Sequence, residues 1–271
     1  MKKLDAGNGR NQIATAFTQA KLTQTAALMP YFTLGYPDKT QSLDIIEAIA
    51  PYADLLELGV PFSDPLADGP TIQHSTQVAL ENGITTADCL QMVATLRQRG
   101  VTTPVMLMGY YNPILAYGEE AYTRDAAQAG AQGFIVPDLP PEEAGSLESA
   151  SEKYGLAVIH FLAPTSNAAR IERVTRHASG FIYLVSVTGV TGAREGLDAN
   201  LAAFVANVRQ KTAVPLAVGF GIGTPQLAAS VGKMADGVIV GSALINAVNN
   251  AQDKPAAAAS FVRSLKDALQ K

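Results

Sequence analysis

The stretch A-D-L-L-E-L-G-V-P-F-S-D-P-L-A-D-G-P-T-I-Q, residues 53–73, contains the unit from which the rest of the chain is built. Its first part is an apolar run of strand length, which breaks at Gly59 and Pro61 into a loop and resumes as a helical pattern after Pro70. One carboxylate, Glu57, lies inside the apolar run. Because a buried carboxylate is costly unless it is paired or protonated, Glu57 is a candidate functional group.

The same unit of an apolar strand followed by a helix recurs along the whole chain. Predicted strands begin near residues 26, 53, 104, 133, 156, 181, 215 and 237. They are almost continuously apolar, as expected for a parallel sheet covered on both faces. Units of this kind with right-handed crossovers predict an α/β fold, a single (β/α)8 TIM barrel that occupies residues 1–271 as one catalytic domain. An extra N-terminal helix, residues 11–22, is expected to close the bottom of the barrel.

Glycines cluster in the loops that follow the last three predicted strands. These loops read V-T-G-V-T-G-A-R-E-G, G-F-G-I-G-T and V-G-S-A. An open doubly wound sheet, the competing topology, would usually place a G-x-G-x-x-G turn after its first strand instead. Glycines and helix N-termini expose backbone N–H groups, so these loops predict a phosphate site after strands seven and eight. The alternatives are that the glycines only allow tight turns, or that the strand-six loop, with Arg194 and Glu195, is an active-site lid.

The composition narrows the class of protein. The formal net charge is -4 and no basic cluster is present, which argues against nucleic acid as the main partner. Neither a signal peptide nor a membrane span is predicted, so we expect a cytoplasmic protein without a membrane partner. The single cysteine, Cys89, lies in a helical pattern and is interpreted as a small core residue.

Two carboxylates are predicted to share the mouth of the barrel. Glu57 should point inward near the end of strand two, where burial raises its pKa toward neutrality and suits it to carry a proton in both directions. Asp68, in a polar loop, is expected to stay ionised and to accept a hydrogen bond from a substrate N–H. No predicted strand contains a lysine for a Schiff base.

Metal chemistry is not predicted either. The three histidines, His74, His160 and His177, show no ligand spacing, so we expect no metal and no cofactor in this chain. His160, inside strand five, is interpreted as a satisfied core or lining residue rather than a ligand.

The most specific motif of the chain is L-E-L-G-V-P-F-S-D-P-L-A-D-G-P-T-I-Q. It is accompanied by M-P-Y-F-T-L-G-Y-P, I-V-P-D-L-P, A-P-T-S, S-V-T-G-V-T-G, G-F-G-I and V-G-S-A. Through these motifs the chain resembles the tryptophan synthase α subunit family over nearly its whole length. The resemblance implies a lyase that cleaves indole-3-glycerol phosphate to indole and D-glyceraldehyde 3-phosphate, a retro-aldol reaction. It also implies an α2β2 tetramer in which indole passes through a tunnel to a β subunit, and pyridoxal phosphate belongs to that partner.

The resemblance assigns roles to individual positions. Glu57 matches the family's acid/base glutamate, Asp68 the aspartate that stabilises the indole nitrogen, and Tyr183 a tyrosine at the reacting end of the pocket. Thr191 lies in the strand-six loop that closes over the substrate and meets this aspartate. The remaining matches are the indole pocket (Tyr31, Met108, Tyr110 and Ile135), the phosphate cradle (Gly192, Phe220, Gly221, Gly241 and Ser242) and the docking loop for the β subunit (Pro61, Asp64 and Pro65).

Some alternatives stay open. For the four indole-pocket residues, simple barrel packing is the competing interpretation. Tyr36 stands where relatives can have an aspartate and Thr188 where they can have a serine, which leaves loop details open. The leading hypothesis is a lyase within a two-enzyme complex. The others are a free-standing lyase that releases indole and a barrel that mainly activates its partner, and the presence of both Glu57 and Asp68 argues against the last.

Overall fold

The computed structural model describes residues 9–186, 199–219 and 221–270 of the chain. Within them the strands form a closed parallel barrel in sequence order, and β8 pairs with β1. The strands are β1 Ala27–Thr33, β2 Leu56–Gly59, β3 Val105–Met108, β4 Gly133–Ile135, β5 Ala157–Leu162, β6 Ile182–Val185, β7 Leu216–Gly219 and β8 Gly237–Val240. The predicted (β/α)8 barrel is confirmed, and the open doubly wound sheet is excluded.

Helices connect the strands and cover the outside of the barrel. They are α1 Gly9–Leu22, α2 Lys39–Ile49, α3 Pro70–Glu81, α4 Thr86–Gln98, α5 Tyr111–Tyr117, α6 Glu119–Ala129, α7 Gly145–Lys153, α8 Ala168–His177, α9 Ala199–Arg209, α10 Pro225–Gly232, α11 Ser242–Asn249 and α12 Lys254–Leu269. Several begin where a side chain accepts a hydrogen bond from a free backbone N–H of the first turn, as at Asp38, Thr85 and Asn167. None of the helices described is long and apolar enough to cross a membrane.

The strands are buried on both faces. All residues of β1, β2, β3, β4, β7 and β8 are buried, because one face packs inside the barrel and the other against the helices. This explains the continuous apolar runs in the sequence. Glu57 and Thr33 are polar exceptions on these strands, and His160 is a buried polar residue on β5.

The N-terminal helix covers the end of the barrel at which the strands begin. The ring of Phe17 on α1 packs against that of Phe181, just before β6, with their centroids 5.7 Å apart. Phe17 also lies against Gly237, the first residue of β8. The predicted role of this helix is therefore confirmed. The opposite end of the barrel, where Glu57 on β2 and the loop with Asp68 lie, is left for the site.

Two helix assignments differ from the sequence prediction. The helix after β4 begins at Gly145 and not at Pro141, because the residues before it form a turn in which the N–H of Glu143 bonds to the carbonyl of Pro140. Helix α5 was not predicted, since the Asn-Pro pair that it contains is typical of a turn. Pro113 lies in its first turn, where a missing N–H breaks no helical hydrogen bond.

Candidate active site

Glu57 lies near the carboxyl end of β2, between Tyr31 of β1 and Met106 of β3 in the strand register. Only 1% of its surface is exposed, and its Oε2 has no hydrogen-bond partner among the described residues. Burial, and then the charge of Asp68, raise the pKa of Glu57 to about 8. Glu57 is therefore mainly protonated at neutral pH, and the expected rise in its pKa is confirmed.

Asp68 is held in the β2–α3 loop by Tyr110, which follows β3. The hydroxyl of Tyr110 donates to Oδ2 of Asp68 at 3.0 Å and accepts the N–H of Ala67 at 2.9 Å. Burial raises the pKa of Asp68 to about 6, and the hydrogen bond from Tyr110 opposes this rise. Asp68 is therefore mostly ionised at neutral pH. The side chain of Asp68 is partly buried although its loop is polar, and this burial is the cause of the raised pKa.

Two buried tyrosines complete the cluster. Burial raises the pKa of Tyr183 on β6, and the charges of Glu57 and then Asp68 raise it further. Burial likewise raises the pKa of Tyr31, followed by the charge of Asp68. The ring of Phe161 stacks on Tyr183 with the centroids 4.7 Å apart. The site thus contains two carboxylates with different pKa values and two neutral phenols, an arrangement suited to proton transfer.

The hydroxyls of both tyrosines lie against glycines, a feature that the sequence analysis missed. A Cβ on Gly59 of β2 would overlap the hydroxyl of Tyr31, and a Cβ on Gly219 of β7 would overlap that of Tyr183. Each glycine ends its strand. In the sequence, Gly59 was interpreted as a strand break and Gly219 as part of the glycine-rich loop predicted to bind phosphate.

Three of the four indole-pocket positions come together. Tyr31, Met108 and Tyr110 line a small cavity with Asp68, under the β2–α3 loop. Ile135 is fully buried on β4 beside Met108 in the register, but it does not line this cavity.

The described part of the predicted phosphate cradle lies at β7 and β8. Gly221 follows β7 with a positive φ of 78°, and Gly241 precedes the first residue of α11, Ser242. A Cβ on Gly223 would lie 3.5 Å from Ala243, so the two loops are adjacent. The first N–H groups of α11 have no carbonyl partner within the helix, as in anion sites at helix N-termini. Gly192 and Phe220 of the predicted cradle, with Thr191 and Thr188, lie outside the described residues.

The predicted docking loop is only partly on the surface. Pro61 is buried and Pro65 partly buried, whereas Asp64 is exposed and accepts a hydrogen bond from the Ser63 hydroxyl. The side chain that the sequence analysis missed is Leu66, which is 93% exposed. Leu66 lies two residues after Asp64, so the exposed part of this loop carries one acidic and one apolar side chain.

Other polar candidates belong to the core. His160 points toward the helices and forms a 2.7 Å hydrogen bond with Glu148 of α7, and burial lowers its pKa. It is a satisfied core residue, as predicted, and Cys89 is fully buried, also as predicted. In the described ranges, no three His, Cys, Asp or Glu side chains converge as metal ligands.

Comparison with known proteins identifies the same family by a sequence model and by individual relatives. The sequence model of the family described as "Tryptophan synthase alpha chain" matches residues 17–270. The tryptophan synthase alpha chain of Chloroflexus aurantiacus is 51% identical over 262 residues, which cover 96% of this chain and 98% of the relative. The tryptophan synthase alpha chain of Roseiflexus castenholzii is 50% identical over 259 residues, which cover 94% of this chain and 99% of the relative.

Solved structures are similar as well. The crystal structure of tryptophan synthase subunit alpha from Legionella pneumophila superimposes with a TM-score of 0.88 at 39% identity, covering 95% of this chain and 98% of the other. A structure of Mycobacterium tuberculosis tryptophan synthase gives a TM-score of 0.89 at 35% identity, and the match covers 96% of this chain and 98% of the other.

Proposed function

From the membership of this chain in the tryptophan synthase alpha chain family, we propose that it cleaves indole-3-glycerol phosphate to indole and D-glyceraldehyde 3-phosphate. The chain is thus a carbon–carbon lyase of the alpha reaction, and residues 1–271 act as one catalytic domain. The observation that carries the assignment is the pair of carboxylates at the barrel mouth, Glu57 with a pKa of about 8 and Asp68 with a pKa of about 6. At neutral pH Glu57 is therefore a proton donor, and Asp68 is an anion.

In the proposed reaction Glu57 gives one proton and then receives another. Protonated Glu57 gives its proton to C3 of the indole ring, and positive charge develops at the indole nitrogen. Ionised Asp68 accepts a hydrogen bond from that N–H and stabilises the charge. The carboxylate of Glu57 then takes the proton of the glycerol hydroxyl, the bond to C3 breaks, and the aldehyde forms. Glu57 ends protonated, so the cycle needs no cofactor in this chain.

The rest of the barrel mouth positions the substrate. Tyr31, Met108, Tyr110 and Ile135 surround the indole ring in this proposal, and Tyr183 lies at the reacting end. The backbone N–H groups of Gly221, Gly241 and Ser242, with Gly192 and Phe220, bind the phosphate. Thr191 belongs to the loop that closes over the substrate. The adjacent β7 and β8 loops support this arrangement, because Gly223 lies against Ala243 in the first turn of α11, and the N–H groups of a helix N-terminus suit an anion.

We further propose that the chain works with a tryptophan synthase β subunit in an α2β2 tetramer, in the cytoplasm. Pro61, Asp64 and Pro65 lie in the docking loop, and the exposed side chain of Leu66 supports this role. Indole passes to the β subunit for L-tryptophan synthesis, and pyridoxal phosphate is bound there and not in this chain.

The proposal is tested by adding indole-3-glycerol phosphate to the purified chain, with and without a β subunit, and measuring indole. We expect indole in both cases and a faster rate with the partner. A chain that makes no indole in either case is not this lyase. A rate that ignores the partner would favour the free-standing enzyme, and stimulation of the β subunit without cleavage would favour the activator.

A further inference from the structure

A buried tyrosine in the turn after β1 reaches the short helix α11. Tyr36 is 7% exposed, and its hydroxyl donates to Oδ1 of Asn249, the last residue of α11. The two residues are 213 positions apart in the sequence. This hydrogen bond therefore joins the β1–α2 turn to a helix that follows the last strand of the barrel.

Helix α11 is the short extra helix between β8 and α12, and its first residue, Ser242, belongs to the proposed phosphate cradle. At 1.5 Å per residue, its eight residues extend over about 12 Å. A helix of this length has little stability of its own, so contacts with the rest of the chain determine where it lies. The direction of the N–H groups at its N-terminus depends on those contacts as well.

The N-terminal end of α11 lies against β1 and α3. A Cβ on Gly241, the residue before the helix, would lie 3.4 Å from the Tyr31 side chain and 3.5 Å from that of Ile72. The buried side chains of the helix are those of Leu244, Ile245 and Val248. Because apolar contacts have no preferred direction, they hold α11 on the barrel without fixing its tilt.

The C-terminal end of α11 is held by hydrogen bonds. Nζ of Lys254, at the start of α12, donates to the carbonyl oxygens of Val248 and Ala251 at 3.2 and 3.3 Å. Since Lys254 follows α11 by only five residues, this contact joins the helix to its own continuation. In the described part of the chain, the hydrogen bond from Tyr36 is the one that ties the end of α11 to the turn after β1.

Tyr36 is itself held in place by β1 and α3. The centroid of its ring lies 6.3 Å from that of Phe32 on β1 and 6.5 Å from that of His74 on α3. The carbonyl of the next residue, Pro37, accepts a hydrogen bond from Nδ2 of Asn82, at the end of α3, at 2.7 Å. The phenol of Tyr36 is therefore a fixed point to which the end of α11 is attached.

We propose, given the lyase function above, that Tyr36 is a positioning residue that fixes the tilt of α11 and thereby directs the N–H groups at its N-terminus toward the substrate phosphate. Only the molecules in which these N–H groups point to a common centre bind the phosphate well. Freedom at the far end of the helix lowers the fraction of such molecules, and the affinity falls with that fraction. Proton transfer by Glu57 does not use the N–H groups of α11.

The test is calorimetry on the full chain with two ligands, sn-glycerol 3-phosphate, which has no indole ring, and indole, which has no phosphate. In Tyr36→Phe the ring remains and the hydrogen bond is lost. The Kd of glycerol 3-phosphate should rise about 2- to 10-fold, as expected for one hydrogen bond, and the Kd of indole should not change. In turnover of indole-3-glycerol phosphate, KM should rise by a similar factor while kcat stays the same.

Asn249→Ala removes the acceptor, so it should weaken the binding of glycerol 3-phosphate as Tyr36→Phe does, and the double variant should bind no more weakly than either. Asn246→Ala is the matched control, because this asparagine is exposed on the same helix three residues earlier. It should leave both affinities unchanged. An unchanged Kd of glycerol 3-phosphate in Tyr36→Phe, an equal loss of indole affinity, additive effects in the double variant, or an equal effect of Asn246→Ala would each overturn the inference.

The binding measurements do not depend on turnover. Unchanged binding of glycerol 3-phosphate in Tyr36→Phe, in a chain that produces indole, would overturn only this inference. The expected loss of affinity in a chain that makes no indole would overturn only the proposed lyase function. A wild type that does not bind glycerol 3-phosphate would also overturn this inference, whether or not it produces indole.

Discussion

The hydroxyl of Tyr110 donates to Oδ2 of Asp68 at 3.0 Å while it accepts the N–H of Ala67 at 2.9 Å. Both hydrogen-bonding functions of the phenol are thus used on one loop. Tyr110 follows β3, whereas Asp68 lies in the loop after β2, so the bond ties the loop to the barrel rim. The position and the pKa of the proposed indole-nitrogen partner therefore depend on a side chain from another strand.

Tyr110→Phe should shift the acidic limb of the kcat/KM profile to higher pH. The Tyr110 hydrogen bond lowers the pKa of Asp68, so its loss raises that pKa above about 6, and ionised Asp68 is lost sooner as the pH falls. Tyr111→Phe is the control, because the neighbouring hydroxyl donates to Glu119 instead. An acidic limb that stays in place in Tyr110→Phe would show that Asp68 does not depend on this bond.

Glu57→Gln should gain stability relative to wild type as the pH rises. The pKa of Glu57 is about 8 in the folded chain against an ordinary glutamate value of 4.5, so the folded state binds more protons than the unfolded state between these two pH values. The free energy of unfolding of the wild type therefore falls as the pH rises through this window, by at most about 1.4 kcal/mol per pH unit. Glutamine does not titrate, so urea unfolding at several pH values should show a widening difference that levels off above pH 8. A difference that is constant with pH would contradict the raised pKa.

Gly219→Ala should destabilise the barrel through Tyr183. The new Cβ would overlap the Tyr183 hydroxyl and ring, at a cost of about 1–3 kcal/mol in the free energy of unfolding. The same substitution should cost less in a Tyr183→Leu background, because the overlapping atoms are absent. Gly145→Ala, where nothing lies within 4 Å, is the control. Equal costs in both backgrounds would mean that this contact is not the cause.

Leu66→Ser should weaken binding of the β subunit by about tenfold, as expected when an apolar anchor at an interface is lost. The dissociation constant can be measured by calorimetry with the purified partner. Leu115→Ser removes another exposed leucine, 56% exposed on α5, and should leave the affinity unchanged. If both variants bind equally well, the partner does not cover Leu66.

Much of the architecture was predictable because strand and helix periodicities repeat along the chain. Glu57 was identifiable from local pattern alone, since a carboxylate in an apolar strand has few explanations. The environment of Asp68 was not predictable, because Tyr110 lies 42 residues away in sequence and reaches it only through the strand order of the barrel.

The buried hydrogen bond between the Thr33 and Ser75 hydroxyls was missed for the same reason. Thr33 and Ser75 are also 42 residues apart, and each alone is an unremarkable polar residue in an otherwise apolar or helical pattern. The start of α7 was misplaced because Pro141 and two acidic residues, which favour a helix start, form the preceding turn instead. Local preference identified the helix, and tertiary contacts determined where it begins.

The central claim, that Glu57 carries the proton, is tested most directly by comparing indole formation in wild type and Glu57→Gln. The rates should be measured at pH 7 and saturating indole-3-glycerol phosphate with the β subunit present, after unfolding curves confirm that the variant is folded. Loss of a general acid predicts a rate lower by on the order of 10²-fold or more. Near-normal turnover in Glu57→Gln would contradict the account.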